Sequence, residues 1–429
     1  MGSVSMRSLN SVAITVICAV PLAVAQSQNA AEHWVTTWAT AQQLAVSSFG
    51  GGRAGPPVLP RPRPNGPEAS NLPPTFADQT VRMIVRTSLG GSRLRVELSN
   101  MIGAQPLEIG AAHIAIHKND GATVEGTDRV LTFSGNSSFT IPPGVLAVSD
   151  PTDLDLTPLS DLAVSLYLPH DTGPPTNHNV GLHTAYISKG DVTAAQKMPE
   201  PATMFAYAWL AGIQVAAPAD AFTIVALGDS ITDGFATTRD ANRAWPTLLA
   251  KRLNANEATR HVAVVNEGIS GNQVLRDGAG VSALARLDRD VLSRPGAKWV
   301  ILLEGINDIN IRGRADGPSA LTSEELIWGY GQIIARCHAQ GIQVIGATIM
   351  PEEGVPTASD RGEGIRQAVN RWIRAKGNFD AVVDFDELVR DRNRPVRLKQ
   401  EFDPGDHIHP NDAGNQAMAD IFALGLFTK

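Results

Sequence analysis

The chain has 429 residues, of which 43% are hydrophobic and 18% charged, with a formal net charge of -7. That length exceeds one average domain, and the apolar fraction can fill a large core. The acidic balance disfavours nucleic acid as a partner and leaves no basic face for a membrane surface.

The N-terminus reads as an address. Arg7 precedes an apolar run from Val12 to Val24, and Ala23-Val24-Ala25 places small residues before Gln26. This is the pattern of a signal peptide over residues 1–25, cleaved after Ala25, and it implies a secreted or periplasmic protein. The run is short for a membrane span, and no later stretch is long and apolar enough to be one. Cleavage removes Cys18 and leaves only Cys337, so no intrachain disulfide is expected.

Trp34 to Trp38 carries strand-forming residues, and Phe49 to Pro74, rich in Gly, Pro, Arg and Asn, reads as a solvated loop. From Val81 the period is two. Val81, Met83 and Val85 alternate with Arg82, Ile84 and Arg86, and Leu94, Val96 and Leu98 alternate with Arg95 and Glu97. With Leu89-Gly90-Gly91-Ser92 between them, the two runs predict a β-hairpin. Short runs at Ile109 to Ile116, Arg129 to Phe133, Phe139 to Ile141 and Leu162 to Leu168 follow, punctuated by Gly, Pro, Asn and Asp. Residues 31–215 therefore read as an all-β sandwich or jelly-roll-like domain. Its aromatics, Trp34, Trp38, Tyr167, Tyr186, Phe205, Tyr207 and Trp209, are core if buried and a sugar-binding face if exposed. The stretch 211–220 reads as a link.

Beyond it the period changes. Strands near 222–227, 261–265, 298–303, 342–348 and 380–384 alternate with amphipathic stretches at Trp245 to Leu253, Ser282 to Leu292, Ser323 to Ala339 and Gly364 to Ala375. Such alternation predicts an α/β domain over residues 221–429, with a parallel sheet between helices. Ligands in these sheets bind beyond the carboxyl ends of the strands. Four polar clusters fall there: Gly228-Asp229-Ser230, Asn266 to Asn272, Glu304 to Asp308, and Asp406-His407-Ile408-His409-Pro410.

The chemistry of these residues is specific. A serine at a strand-to-helix turn is either an N-cap or a nucleophile. A serine nucleophile needs a base, which His409 can supply, and the base needs an acceptor to fix its tautomer, which Asp406 can supply from one tight turn. Asp229 and Asp308 are expected to bond backbone amides in their turns, and His407 to be structural or pocket-lining. Asp403, Asp406, His407 and His409 also read as a weak metal-ligand set. Trp245-Pro246 is expected to pack, and Glu352 and Glu353 to be exposed loop charges.

The four blocks in this order resemble the GDSL, or SGNH, family of serine hydrolases over residues 222–429, with Ile231 where the short motif has Leu. The resemblance implies a three-layer αβα, flavodoxin-like hydrolase domain, here preceded by a β-rich domain as in secreted two-domain esterases. It implies Ser230, Asp406 and His409 as the catalytic set. It assigns the oxyanion to the backbone N–H groups of Ser230 and Gly271 and the side-chain amide of Asn307, with no metal or organic cofactor. The expected activity is hydrolysis of small-molecule or carbohydrate esters, with short acyl groups such as acetyl on a sugar or aryl alcohol. An acyltransferase using the same acyl-serine, a lipase or phospholipase, and a noncatalytic carbohydrate-binding protein are the alternatives. Oligomeric state is left open.

Overall fold

The computed structural model describes residues 1–2, 32–43, 71–317 and 319–428. Apart from Met1 and Gly2, the expected signal peptide lies outside them, as do residues 49–70 of the expected loop.

The C-terminal half is built on five parallel strands. Phe222–Gly228 is buried along its whole length, as a continuous apolar run in the middle of a covered sheet should be. It pairs with Val262–Gly268 on one side and Ala297–Leu303 on the other, followed outward by Gln343–Ala347 and Ala381–Val383. Counted along the chain, the order is 2-1-3-4-5, the flavodoxin-like arrangement. Its switch point lies between the first and third strands, where the ends of two strands open a crevice.

The helices are α1 (Ser230–Asp233), α2 (Trp245–Asn254), α3 (Ala283–Leu287), α4 (Ile306–Arg312), α5 (Ser323–Ala339), α6 (Asp360–Arg374), α7 (Phe385–Val389) and α8 (Asp412–Asp420). The helix predicted over Ser282 to Leu292 divides into α3 and a π-helical turn at Asp288–Leu292. Helix α6 starts at Asp360, four residues earlier than predicted, because the Ser359 side chain caps it by accepting from Gly362 N–H. Trp245 packs as expected, stacked on Phe422 and edge-on to Phe385. No helix among the described residues is long and apolar enough to cross a membrane.

The N-terminal half consists mainly of two antiparallel sheets around one core. One runs Trp34–Ala39, Leu210–Ala216, Gly91–Ser99, Thr152–Leu156; the other runs Ala202–Met204, Ala185–Lys189, Gln79–Arg86, Asp161–Leu168, Ala111–Asn119. Val81, Met83 and Val85 share the core as predicted, but Arg82 and Ile84 are buried too, so this strand is covered on both faces, and the predicted hairpin is absent. Gln79–Arg86 and Gly91–Ser99 lie in different sheets, and the chain crosses between them at residues 87–90. Thr87 N–H donates to Ser160 O and Ser88 N–H to Thr37 O, so the turn is tied to both sheets instead of closing one. Val81, Met83 and Val85 then meet Leu94, Val96 and Leu98 across the shared core, and not side by side. The expected link also changes. Leu210–Ala216 is a central strand with Leu210, Ile213 and Val215 buried; its alanines and glycine hid the alternation. Tyr207 and Trp209 are core residues.

The two halves share contacts throughout, and residues 33–429 form one compact unit. Thr36 N–H donates to Pro295 O, and Thr223 Oγ1 donates to Thr36 O. Arg294 bridges the halves, with Nη1 2.7 Å from Glu97 Oε2 and Nε 2.7 Å from Glu267 Oε1, all three side chains buried. Removing one partner of such a group strands the others without water. Arg294→Leu is therefore expected to cost about 3–5 kcal/mol of stability, read as a lower urea midpoint, whereas an unchanged midpoint would show that the bridge adds nothing.

Candidate active site

The first strand ends at Gly228, and Asp229 starts a helix by accepting from Ile231 N–H through Oδ1 (3.0 Å). Ser230 is the first residue of α1, so its own N–H lacks a partner inside the helix. It is 6% exposed, at the sheet's switch point. One partner for its hydroxyl comes from far along the chain: His409 Nε2 lies 2.7 Å from Ser230 Oγ.

His409 stands on a loop that a single carboxylate shapes. Asp406 Oδ1 accepts from Ile408 N–H (3.1 Å) and His409 N–H (3.0 Å), and its Oδ2 lies 2.9 Å from His409 Nδ1. A carboxylate can only accept, so Nδ1 carries the proton and the Nε2 lone pair faces the serine. Phe235 packs against the imidazole with ring centroids 4.8 Å apart. The neighbouring pair repeats the device: Asp403 accepts from Gly405 and His407 N–H and from His407 Nδ1 (2.6 Å). The set read as metal ligands is thus two separate carboxylate–imidazole pairs.

The expected oxyanion residues gather beside α1. Ile269 N–H donates to Gly228 O (2.9 Å), which holds the second strand's loop against the nucleophile turn. The approach is close enough that a Cβ on Gly268 would sit 2.3 Å from Asp233 N. Gly271 has φ +83°, a conformation that favours glycine. Asn307, in α4, donates through Nδ2 to Asn272 O (2.9 Å), which leaves its second amide hydrogen for another acceptor. Asp308 does not bond its own turn alone, since it accepts from Val274 N–H (2.8 Å) and Leu275 N–H (3.1 Å) of the Gly271 loop.

Several organising residues carry no motif. Arg286, fully buried, donates to Gly228 O, Glu267 O, Asn272 Oδ1 and Asp290 Oδ2. Glu304 is buried 3.8 Å from it. Burial, then repulsion from Asp229, raises the Glu304 carboxyl pKa well above its ordinary value. Burial likewise pushes Asp229 up to about 7 and Asp308 up to about 6. The layer beneath the serine therefore carries less negative charge than three carboxylates would.

Glu352 departs from expectation. It is 3% exposed, takes a hydrogen bond from Asn310, and burial pushes its pKa up to about 7. Glu353 is the surface charge, paired with Arg394 and Arg397. A position after a strand end looks the same in sequence whether the loop turns outward or inward.

Serine, base and acid in this order can pass a proton from Oγ to Nε2 as Oγ attacks an electrophilic carbon. Residues 226–417 match the model of the GDSL-like lipase/acylhydrolase family. Three solved structures show what the chain is similar to. A GDSL-like lipase from Bacteroides thetaiotaomicron is 22% identical, over 46% of this chain and 84% of that one, with a TM-score of 0.35. An acetyl xylan esterase is 22% identical, over 46% and 96%, with a TM-score of 0.36. An inhibitor-bound aryl esterase from M. smegmatis is 19% identical, over 48% and 97%, with a TM-score of 0.37. No curated protein matches the sequence.

Asp406→Asn should leave the fold intact and lower kcat roughly 10³–10⁴-fold at neutral pH, because an amide can hold the wrong tautomer of His409; steady-state kinetics with a thermal melt as control read this out. Glu352 makes a separate prediction. Its folded pKa lies above the unfolded value, so its proton favours the folded state at acid pH, and stability falls as pH rises from about 4.5 towards about 7. Glu352→Gln should remove that loss and stabilise the protein by on the order of 2 kcal/mol at pH 8, with little effect at pH 4, in urea titrations at the two pH values.

Proposed function

We propose that this chain, whose residues 226–417 form a GDSL-like lipase/acylhydrolase domain, is a serine esterase that works through an acyl-serine. The domain makes it a carboxylic ester hydrolase. The observation that carries the mechanism is the unbroken hydrogen-bond line from Ser230 Oγ through His409 to Asp406, at 2.7 and 2.9 Å.

Ser230 Oγ attacks the ester carbonyl while His409 Nε2 takes its proton. The developing oxyanion accepts from the N–H groups of Ser230 and Gly271 and from Asn307 Nδ2, each such donor lowering the barrier by about 3 kcal/mol. His409 then gives the proton to the leaving alkoxide, releasing the alcohol and leaving an acyl-Ser230. Water, activated by the same imidazole, attacks this ester and frees the acid. Asp406 stabilises the imidazolium in both halves.

The preferred acyl group is short. Ser230 is recessed, Phe235 packs against His409, and the Ser270–Gly271 turn is bonded to α1. The alcohol is a sugar or an aryl group, and residues 1–25 direct export. The acetyl xylan esterase and the aryl esterase act on esters of such alcohols, as their names say.

Turnover of p-nitrophenyl acetate should exceed that of the long-chain p-nitrophenyl palmitate, and Ser230→Ala should lose about 10⁴-fold or more in kcat. Faster turnover of the long chain overturns the acyl preference; wild-type activity of the alanine variant overturns the nucleophile. N-terminal sequencing of the exported protein should begin at Gln26.

A further inference from the structure

The α/β half holds the serine, its base and the oxyanion donors, yet one contact to this machinery comes from the β half. His178 lies on the short strand Asn177–His178, which pairs with Tyr207–Ala208. Its side chain is 3% exposed. Nδ1 is 2.8 Å from Ala41 O, and Nε2 is 3.0 Å from Asp233 Oδ1. Asp233 is the last residue of α1, three positions after the nucleophile. Its other oxygen, Oδ2, accepts from both Ser270 N–H (2.9 Å) and Ser270 Oγ (2.7 Å). Ser270 immediately precedes Gly271.

We propose that His178 is a positioning residue for ester hydrolysis: it fixes the Asp233 carboxylate, which in turn fixes the Ser270–Gly271 turn and aims the Gly271 N–H at the oxyanion. This rests on the reading of Ser230 and Gly271 given above. The hydrogen bonds define the required charge state. A carbonyl cannot donate, so Nδ1 must carry a proton. Asp233 Oδ1 accepts from Nε2, so both ring nitrogens donate and His178 faces the carboxylate as an imidazolium. Burial opposes that charge, but the Asp233 charge and its hydrogen bond outweigh it, and the imidazole pKa is raised. The pair thus binds the two halves of the protein at the point where an oxyanion donor must be held to within a fraction of an ångström.

No other acceptor or donor is needed for the relay, and this makes it testable by coupling. His178→Gln retains one donor but not two. It should lower kcat on p-nitrophenyl acetate about 10–100-fold while KM changes less than threefold, because the loss falls on the transition state. Ser270→Ala removes one of the two donors on Asp233 and should lower kcat about 3–10-fold. The double variant should be no worse than about twofold below His178→Gln alone, since both changes loosen the same carboxylate. Multiplying losses in the double variant, a kcat unchanged in a folded His178→Gln protein, or a change confined to KM each overturn the proposal. Should His178→Gln fail to fold, wild-type kcat in Ser270→Ala overturns it. Ser230→Ala in the same assay separates the two levels: an active alanine variant refutes the nucleophile and this proposal together, whereas an inactive one beside a fully active His178→Gln refutes the proposal alone.

Discussion

One guanidinium fixes the floor of the site. Arg286 has five N–H donors in a rigid plane, and four hydrogen bonds go to Gly228 O, Glu267 O, Asn272 Oδ1 and Asp290 Oδ2. Two of these are carbonyls at the ends of adjacent parallel strands, the last residue of one and the next-to-last of the other, before the loops that bear Ser230 and Gly271. Gly228 O also accepts from Ile269 N–H, and Arg286, in the last turn of α3, adds a second donor there and ties the ends of the two strands together. A lysine has the charge but not the fork, and could not serve both strands at once.

The same economy governs the acids. Asp229, Asp233, Asp308 and Asp406 each satisfy backbone N–H groups of a turn near the serine. Carboxylates so placed convert flexible loops into defined ones, because each oxygen can take two donors where a turn would otherwise need water. The result is a rigid crevice lined by backbone N–H groups and few free charges, suited to a negative charge that appears only during reaction.

Much of this was legible in the sequence, for identifiable reasons. The parallel sheet announced itself through continuous apolar runs, and the site through polar clusters at their ends; Ser230, Asp406 and His409 meet as their chemistry requires. Arg286 and His178 were not legible. Their roles depend on partners 58 and 55 positions away, Gly228 and Asp233, and no local pattern marks an arginine or histidine as buried. The hairpin failed because alternation reveals a strand's two faces but not its neighbour: the runs at 81–85 and 94–98 fit a shared core equally well from one sheet or from two. Glu352 failed for the opposite reason, since charge predicts exposure and a single amide from Asn310 reversed it.

The edge strand Trp34–Ala39 has a consequence in time. Its partner in the sheet is Leu210–Ala216, at the other end of the β half; Thr37 is also tied to Ser88 and Leu89, and two further anchors, Pro295 and Thr223, come later still. On a chain made from its N-terminus, this segment emerges long before its strand partner. Closing so long a loop costs entropy before the pairing repays it, so this pairing is expected among the slower steps of folding. A chain stopped at the apparent boundary would keep Leu210–Ala216 but lose the contacts that Pro295 and Thr223 make with its first strand.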